Sequence, residues 1–163
     1  LLDGMPTFNQ GYGVLVDGQL HDEIGIRAGH KPDISADLVE RICRKITEHA
    51  DNLVDVEEWM LDDAVVALIT FGSPARPALR AVKEARFQGI KAGFLKVRIL
   101  WPFPARVVHG LARRCKRIIV PEMNVGKIYR EVERVVAGRT EVISLPKLGG
   151  EVHTPSEIFS AIR

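Results

Sequence analysis

The chain has 163 residues, of which 46% are hydrophobic and 27% are charged, and this composition supports one ordinary domain with a sizeable core and an appendage. Its 23 basic and 21 acidic side chains give a formal net charge of +2, which is too balanced to indicate a nucleic-acid or anionic-membrane partner. The densest basic cluster, residues 113–117, falls at a predicted helix end, where cations complement the helix dipole.

Cysteine content and hydropathy bear on the cellular compartment of the protein. Cys43 and Cys115 are the two cysteines of the chain, and their wide spacing suits neither an iron–sulfur cluster nor a disulfide framework. We therefore expect reduced thiols and a cytoplasmic protein. No apolar run approaches the roughly 20 residues that a membrane-spanning helix needs. The chain begins with Leu1 and with residues typical of mid-chain material, so we expect a fragment of a longer polypeptide.

Residues 1–34 are predicted to form an extended arm or linker. They are rich in Gly, Asp, Pro and His, and their one short apolar run, Val14 to Val16, is broken by Asp17 and Gly18 at a tight turn. Such an arm needs a neighbour to lie on, so we expect it to contact another domain or subunit.

Residues 35–163 are predicted to form an α/β domain, and Ser35 is placed to cap its first helix. Apolar side chains recur on one face of this helix, and charged side chains cover the others. The predicted inward face consists of Leu38, Val39, Ile42, Ile46 and Leu53.

Three strand–helix units follow. The apolar run Val65–Phe71 predicts a buried strand that ends at Gly72, with Ser73 as the cap of the next helix and Pro74 at its first position. Further strands are predicted at residues 92–97, 117–121 and 141–145. The helices between them present apolar stripes at Ala78, Leu79, Val82 and Ala85, at Val107, Val108, Leu111 and Ala112, and at Val125, Ile128, Tyr129, Val132, Val135 and Val136.

The end of the chain carries clear helix signals. Gly138 is placed to end the third of these helices in the left-handed conformation, and residues 147–151 are predicted to form a loop. Thr154, Pro155 and Glu157 form a capping box that opens a last helix. Ile158, Phe159 and Ile162 are its predicted inward residues.

Strands that alternate with helices predict an α/β fold with a mostly parallel sheet covered on both faces. Ligands of such sheets favour the carboxyl ends of the strands. Here that edge carries Gly72–Ser73, Arg98, Glu122–Asn124 and Lys147–Gly150. A nucleotide loop is disfavoured, because Pro74 removes a backbone N–H that a phosphate cradle would need.

Gly11-Tyr12-Gly13 does not change this conclusion. It lacks the third glycine of a dinucleotide fingerprint and does not lie between a strand and a helix.

Glu122 is the most attractive acid of the predicted edge. It ends a buried strand just before a helix N-terminus, which favours its charge, and two roles are open. It could act in catalysis, or it could accept backbone N–H groups of the adjacent loops, and the second role is favoured.

The histidines offer a weaker possibility of metal binding. His21, Asp22 and Glu23 are consecutive, and with His30 they could be imagined as ligands, but consecutive residues point in different directions. A turn or an interdomain contact is favoured. His49 and His109 are expected to be solvated, and His153 to shape the loop before Thr154.

Several stretches, in their order along the chain, resemble the C-terminal part of the α subunit of 2-oxoacid:ferredoxin oxidoreductases, and the resemblance covers nearly the whole chain. The sequence around Trp101 is closest to the 2-oxoglutarate type, since relatives acting on pyruvate and branched-chain acids more often have arginine there. The stretches that carry the resemblance are Gly18, His21–Glu23, Gly25, Phe71–Ser73, Ala75–Arg76, Ala81–Val82, Ala85–Arg86, Gly89, Leu100–Pro104, Val120–Gly126, Arg130–Val132, Gly149–Glu151 and Thr154–Ile158.

The resemblance implies a transketolase C-terminal-like domain, a three-layer α/β/α sandwich with one antiparallel strand in a mainly parallel sheet. It also implies a complex that uses thiamine diphosphate, magnesium, iron–sulfur clusters and coenzyme A. The chain has no Gly-Asp-Gly followed by paired asparagines, the arrangement that holds magnesium diphosphate in the β subunits of the family. We therefore expect a non-catalytic domain that binds none of these groups itself, and we assign no catalytic, cofactor-binding or metal-binding residue.

The expected partners are the β subunit, possible further subunits, and ferredoxin through the complex, with no nucleic acid and no membrane. Two alternatives stay open. One is a stand-alone ligand-binding or regulatory α/β domain that uses the crevice near Ser73, Arg98 and Lys147. The other is the C-terminal domain of another thiamine enzyme, such as a dehydrogenase β chain or a transketolase.

Overall fold

The computed structural model describes residues 9–11, 13 and 17–163, and the chain divides into two compact units, residues 1–48 and 49–163. The sequence predicted the domain to begin at Ser35, whereas this division follows Glu48. The predicted apolar run Val14–Val16 lies outside the described residues.

In the first unit, residues 17–28 form a turn closed by its own hydrogen bonds. His21 and Arg27 pair as an isolated antiparallel bridge, and the backbone N–H of Asp22 donates to the Ile26 carbonyl at 2.8 Å. The Asp22 carboxylate accepts the backbone N–H groups of Ile24 and Ile26 at 3.1 and 2.8 Å. This part of the predicted extended arm therefore folds back on itself, and its tight turn lies at residues 22–25 rather than at Asp17 and Gly18.

Helix α1 spans Pro32–Thr47 and differs from the prediction at its start and on its apolar face. Lys31 is the N-cap residue and Pro32 opens the helix, so Ser35 lies inside it and is not the cap. No residue of α1 is buried, and Val39 and Ile42 are exposed. The prediction of an inward apolar face is thus wrong for the described residues.

The second unit contains a five-stranded sheet with strand order β1-β3-β2-β4-β5. β1 runs antiparallel to β3, and the other neighbours are parallel, which confirms the predicted α/β class. Its elements are α2 Ala50–Leu53, β1 Val56–Trp59, β2 Val66–Thr70, α3 Ala75–Phe87, β3 Ala92–Val97, α4 Ala105–Ala112, β4 Arg117–Glu122, α5 Lys127–Val136, β5 Glu141–Pro146 and α6 Pro155–Ile162.

The core lies on both faces of this sheet, because alternate strand residues point to opposite sides. Leu68 of β2 packs in the cluster that includes residues of α3 and α6, and its neighbour Ile69 packs in the cluster that includes residues of α4 and α5. Phe94 and Leu95 of β3 divide in the same way. The result is the expected three-layer arrangement of helices, sheet and helices.

Helix starts show where local sequence signals succeed and fail. The capping box is confirmed: the Thr154 hydroxyl accepts the Glu157 N–H, and the Glu157 carboxylate accepts the Thr154 N–H. At α3, however, Pro74 occupies the N-cap position and Ser73 makes no capping hydrogen bond. At α5 the helix begins after Val125, whose side chain is exposed and not inward.

Gly93 of β3 and Arg86 of α3 both contact the segment that follows β1. A Cβ on Gly93 would lie 2.7 Å from Leu61 Cδ2 and 2.8 Å from the Met60 carbonyl oxygen, so only glycine fits without a shift. The Arg86 guanidinium donates to the Met60 carbonyl and to both carboxylate oxygens of Asp63. Neither contact was predicted from the sequence.

Candidate functional site

The carboxyl edge of the parallel strands is the candidate site that the topology offers. The chain passes from β2 to β3 on one side and then returns to β4 on the other, so the strand order reverses between β2 and β4. The buried Thr70 hydroxyl, at the end of β2, donates to the Pro121 carbonyl of β4 at 2.9 Å. This side chain ties together the two strands between which a ligand crevice would open.

An open cleft of about 650 Å³ lies beside the end of β2. Gly72 and Ser73 line it, as predicted, together with Arg76 of α3, Lys96 of β3 and Val152. The Lys96 ammonium lies 3.6 Å from a Glu57 carboxylate oxygen. Arg76 has no ion-pair partner among the described residues. The charged residues in the described lining are therefore Arg76 and Lys96, the second of them paired with Glu57, and the cleft is basic and open to solvent.

Arg98 follows β3, and its guanidinium forms ion pairs with carboxylates in and just before the antiparallel edge strand β1. Its guanidinium lies 3.1 Å from a Glu57 oxygen and 3.6 Å from an Asp55 oxygen. These contacts raise the pKa of Arg98, chiefly through the Glu57 hydrogen bond, and the same hydrogen bond lowers the pKa of Glu57. Arg98 does not line the cleft, and its charge is shared with two carboxylates.

Glu122 is fully buried and caps helix α5. Its two carboxylate oxygens accept the backbone N–H groups of Ile128 and Tyr129, each at 3.0 Å. Asn124 accepts the N–H groups of Gly126 and Lys127 at 2.9 and 2.8 Å. Together they satisfy four donors at the helix start, where the dipole favours a negative charge. These are the backbone hydrogen bonds that the favoured structural role of Glu122 requires.

Lys147 belongs to the start of α6 and not to an open crevice. Its ammonium lies 2.9 Å from both Glu157 oxygens and 3.9 Å from a Glu151 oxygen. The hydrogen bond from the Thr154 backbone, with help from Lys147, lowers the pKa of Glu157 to about 2. A carboxylate with this pKa stays ionised at neutral pH and acts here as part of a cap.

The histidines do not gather into a metal site. Among residues 9–11, 13 and 17–163, no three His, Cys, Asp or Glu side chains are placed to hold a metal ion. His21 Nε2 lies 3.4 Å from an Asp17 oxygen, within the turn. His153 is buried, and its Nε2 donates to the Leu145 carbonyl at 2.8 Å, while its Nδ1 has no partner among the described residues. His30 and His49 are exposed.

The described residues do not fit the metal and cluster cofactors that the resemblance implies for the complex. Cys43 is exposed and Cys115 is buried, and they belong to different units. Burial raises the pKa of the Cys115 thiol, so the thiolate that a cluster ligand requires is disfavoured. None of the helices in the described part combines the length and apolar content that crossing a membrane requires.

Sequence reasoning missed Arg76 and Lys96, the two cations of the cleft. Arg76 could have been found from its position two residues after Pro74, in the first turn of the helix that follows β2. Lys96 is a single charge within an otherwise apolar strand, and a charge there indicates a side chain near the strand end that reaches solvent. Of the Gly11-Tyr12-Gly13 stretch considered in the sequence analysis, Tyr12 lies outside the described residues.

Comparisons with known proteins agree with one another. Residues 64–158 match the family model described as pyruvate:ferredoxin oxidoreductase core domain II. The chain is 44% identical over 158 residues to 2-oxoglutarate synthase subunit KorA of Methanothermobacter thermautotrophicus, which covers 97% of this chain and 42% of that subunit. It is 27% identical over 157 residues to pyruvate synthase subunit PorA of the same organism, which covers 93% of this chain and 41% of that subunit.

A solved structure shares the fold. The 2-oxoglutarate:ferredoxin oxidoreductase from Magnetococcus marinus, determined with 2-oxoglutarate, coenzyme A and succinyl-CoA bound, aligns with a TM-score of 0.67 at 23% identity. The alignment covers 95% of this chain and 27% of that chain. The chain spans about two fifths of the length of the curated relatives that it matches.

Proposed function

This chain belongs to the pyruvate:ferredoxin oxidoreductase core domain II family, and we propose that it is the non-catalytic C-terminal domain of the α subunit of a 2-oxoacid:ferredoxin oxidoreductase. The whole complex would carry out thiamine-dependent oxidative decarboxylation of the 2-oxoacid, form an acyl-CoA and reduce ferredoxin. In this proposal the chain has a structural role: it is a folded domain against which the catalytic domains and a partner subunit pack.

The proposed substrate of the complex is 2-oxoglutarate. Identity to the 2-oxoglutarate synthase subunit exceeds identity to the pyruvate synthase subunit of the same organism, over nearly the same stretch. Trp101, which the resemblance associates with the 2-oxoglutarate type, supports the same choice. Its side chain is exposed in the loop after β3.

The main support for a non-catalytic role is that three polar side chains at the carboxyl edge are already bonded to other groups of the fold. Glu122 is used by backbone N–H groups, while Arg98 and Lys147 are held in ion pairs. A group that acts on a substrate must be free to exchange partners or protons with it, and these three are engaged in holding the fold. Thiamine diphosphate, magnesium, iron–sulfur clusters and coenzyme A would therefore be held by other parts of the complex.

The proposed partners are the β subunit, further subunits of the oxidoreductase, and ferredoxin through the assembled complex. The proposed location is the cytoplasm, whose reducing conditions suit two isolated cysteines.

Reconstitution tests the proposed activity. The full-length polypeptide that contains this chain would be mixed with its partner subunit, and CoA-dependent reduction of a low-potential dye would be measured with different 2-oxoacids. Turnover with 2-oxoglutarate is the expected result. Turnover only with pyruvate or a branched-chain 2-oxoacid would contradict the substrate, and lack of activity with every 2-oxoacid would contradict the reaction.

The basic cleft favours one alternative, a ligand-binding domain that recognises a small anion through Arg76 and Lys96. A ligand that binds the folded state stabilises it by mass action, so this alternative predicts a higher unfolding temperature with phosphate, nucleotides, CoA or 2-oxoacids. No shift with any of them would remove it. Membership of the oxidoreductase family argues against the third possibility, a dehydrogenase β chain or a transketolase.

A further inference from the structure

A groove in the first unit has the composition of a protein-binding surface. It lies between turn residues 21–24 and one face of helix α1, and its volume is about 410 Å³. Its apolar side chains are Ile24, Ile34 and Leu38. Ile24 is 84% exposed, and Ile34 and Leu38 are only half-buried. Apolar side chains gathered at one exposed groove make it a candidate surface for another molecule.

The turn that forms one wall of the groove is held in shape by its own contacts. The Asp22 carboxylate fixes the backbone on either side of Gly25, and the Asp17 carboxylate contacts Arg27 at 2.8 Å and His21 at 3.4 Å. These charges and hydrogen bonds lower the pKa of Asp17, chiefly through the backbone N–H of Gln19. A partner would therefore meet Ile24 already in place, which reduces the entropy cost of binding.

The rim of the groove is acidic. Glu23 and Asp37 line it, and neither forms an ion pair with a described residue. Asp22 also lines it and has backbone N–H groups as its partners. Among the described residues that line the groove, Arg41 supplies the one guanidinium, and no lysine is present. Three carboxylates against one guanidinium give this surface a negative potential, which selects a cationic partner.

From this geometry we infer that the groove receives a segment of the partner subunit that inserts an apolar side chain flanked by Lys or Arg residues. The inference rests on the proposed function, which places the chain in a multisubunit complex. An apolar centre inside a charged rim is the usual anatomy of an interface between separately folded chains. Rim charges steer the encounter of such chains and fix their register.

Charge reversal on the groove tests the inference in the full-length subunit. The double variant Glu23→Lys with Asp37→Lys is expected to weaken binding of the partner subunit by about tenfold at low ionic strength. The loss should shrink at 0.5 M salt, because screening removes the repulsion as well as the attraction. The matched control is Glu40→Lys, which reverses an exposed carboxylate of α1 that does not line the groove. It should bind the partner as the parent does.

Truncation of an apolar side chain gives a second readout that salt does not remove. Leu38→Ser should raise the dissociation constant at both ionic strengths, whereas Val39→Ser, an exposed neighbour outside the groove, should leave it unchanged. Circular dichroism of each variant checks that α1 stays helical. Dissociation constants would be measured by calorimetry or sedimentation velocity on the purified pair.

The outcomes separate this inference from the proposed function. If the charge-reversed and the Leu38→Ser subunits both bind the partner subunit as the parent does, the inference about the groove is wrong. This holds even if the assembled subunits oxidise 2-oxoglutarate. Amides of residues 21–24 that are already protected in the subunit alone also overturn it, because the occupant would then be the same polypeptide. A pair that associates through the groove but turns over no 2-oxoacid supports the groove and contradicts the function.

Discussion

The two units of the chain use similar amphipathic helices in opposite ways. In the second unit the apolar stripes of α3, α4 and α5 are buried against the sheet. In the first unit, α1 has an equally regular stripe, yet none of its residues is buried. The comparison teaches that an apolar stripe predicts a helix but does not tell whether the same part of the chain buries it.

The sharpest test of this contrast makes the same substitution in both units. Ile118→Ala in β4 should lower the free energy of unfolding of the second unit by about 3 kcal/mol, since Ile118 is fully buried. Ile42→Ala in α1 should change stability by less than about 0.5 kcal/mol, because Ile42 is 47% exposed. Fluorescence of Trp59 and Trp101 follows the second unit in urea, and amide hydrogen exchange follows α1. Faster exchange throughout α1 in Ile42→Ala would break the comparison.

A smaller effect is expected where the second unit is packed most tightly. Gly93→Ala should cost about 2 kcal/mol, because the new methyl group would lie within 3 Å of Leu61, the Met60 carbonyl and Ala64. Gly110→Ala is the control: its Cβ meets no atom within 4 Å in helix α4, so the substitution should stabilise by up to about 1 kcal/mol. Urea midpoints of the two variants on the same side of the parent would contradict this packing.

Glu122→Gln tests whether the buried carboxylate holds the fold or takes part in catalysis. Glutamine has one acceptor oxygen where the carboxylate has two, so one of the N–H groups of Ile128 and Tyr129 loses its partner, at a cost of about 1.5 kcal/mol. Glu131→Gln, a change at a partly exposed carboxylate of the same helix that pairs with Arg134, should stay within about 0.5 kcal/mol. The assembled enzyme should keep its turnover number. A fall of about a hundredfold with an intact fold would assign Glu122 to catalysis.

The smallest effect concerns pH and the start of α6. The folded-state pKa of Glu157 is about 2, below its usual 4.5, so its stabilising contribution is complete above pH 4.5 and is lost as the pH falls toward 2. Glu157→Gln should therefore be less stable than the parent at pH 7, and the two proteins should converge near pH 2. Unfolding temperatures measured between pH 2 and pH 7 check this, and a difference that grows on acidification would contradict the assigned pKa.

Much of the second unit could be predicted from local signals. The strand at residues 92–97 and the capping box at Thr154 and Glu157 are confirmed, because apolar runs and helix caps act within a few residues. Strand β1 was missed: residues Val56–Trp59 are a short edge strand with two charges, and their partner β3 lies about 40 residues away in the sequence.

The candidate site was less predictable, because the partners of its residues come from distant segments. Arg98 and Lys147 looked available at the carboxyl edge, but their partners Glu57 and Glu157 lie 41 and 10 residues away. The backbone hydrogen bonds of Glu122 could be predicted, because a carboxylate before a helix start has a local reason to accept them. The acidic groove could not be predicted, since it depends on how the His21–Ile24 turn lies beside α1.

The most direct test of the account is amide hydrogen exchange in the full-length subunit, measured alone and with its partner subunit. The account predicts slow exchange in β2, β3 and β4 in both states, because these strands lie in a core complete within the second unit. It predicts that the partner adds protection at residues 21–24 and 34–41. Protection that appears instead only in the core strands, or groove residues that exchange equally fast in both states, would contradict it.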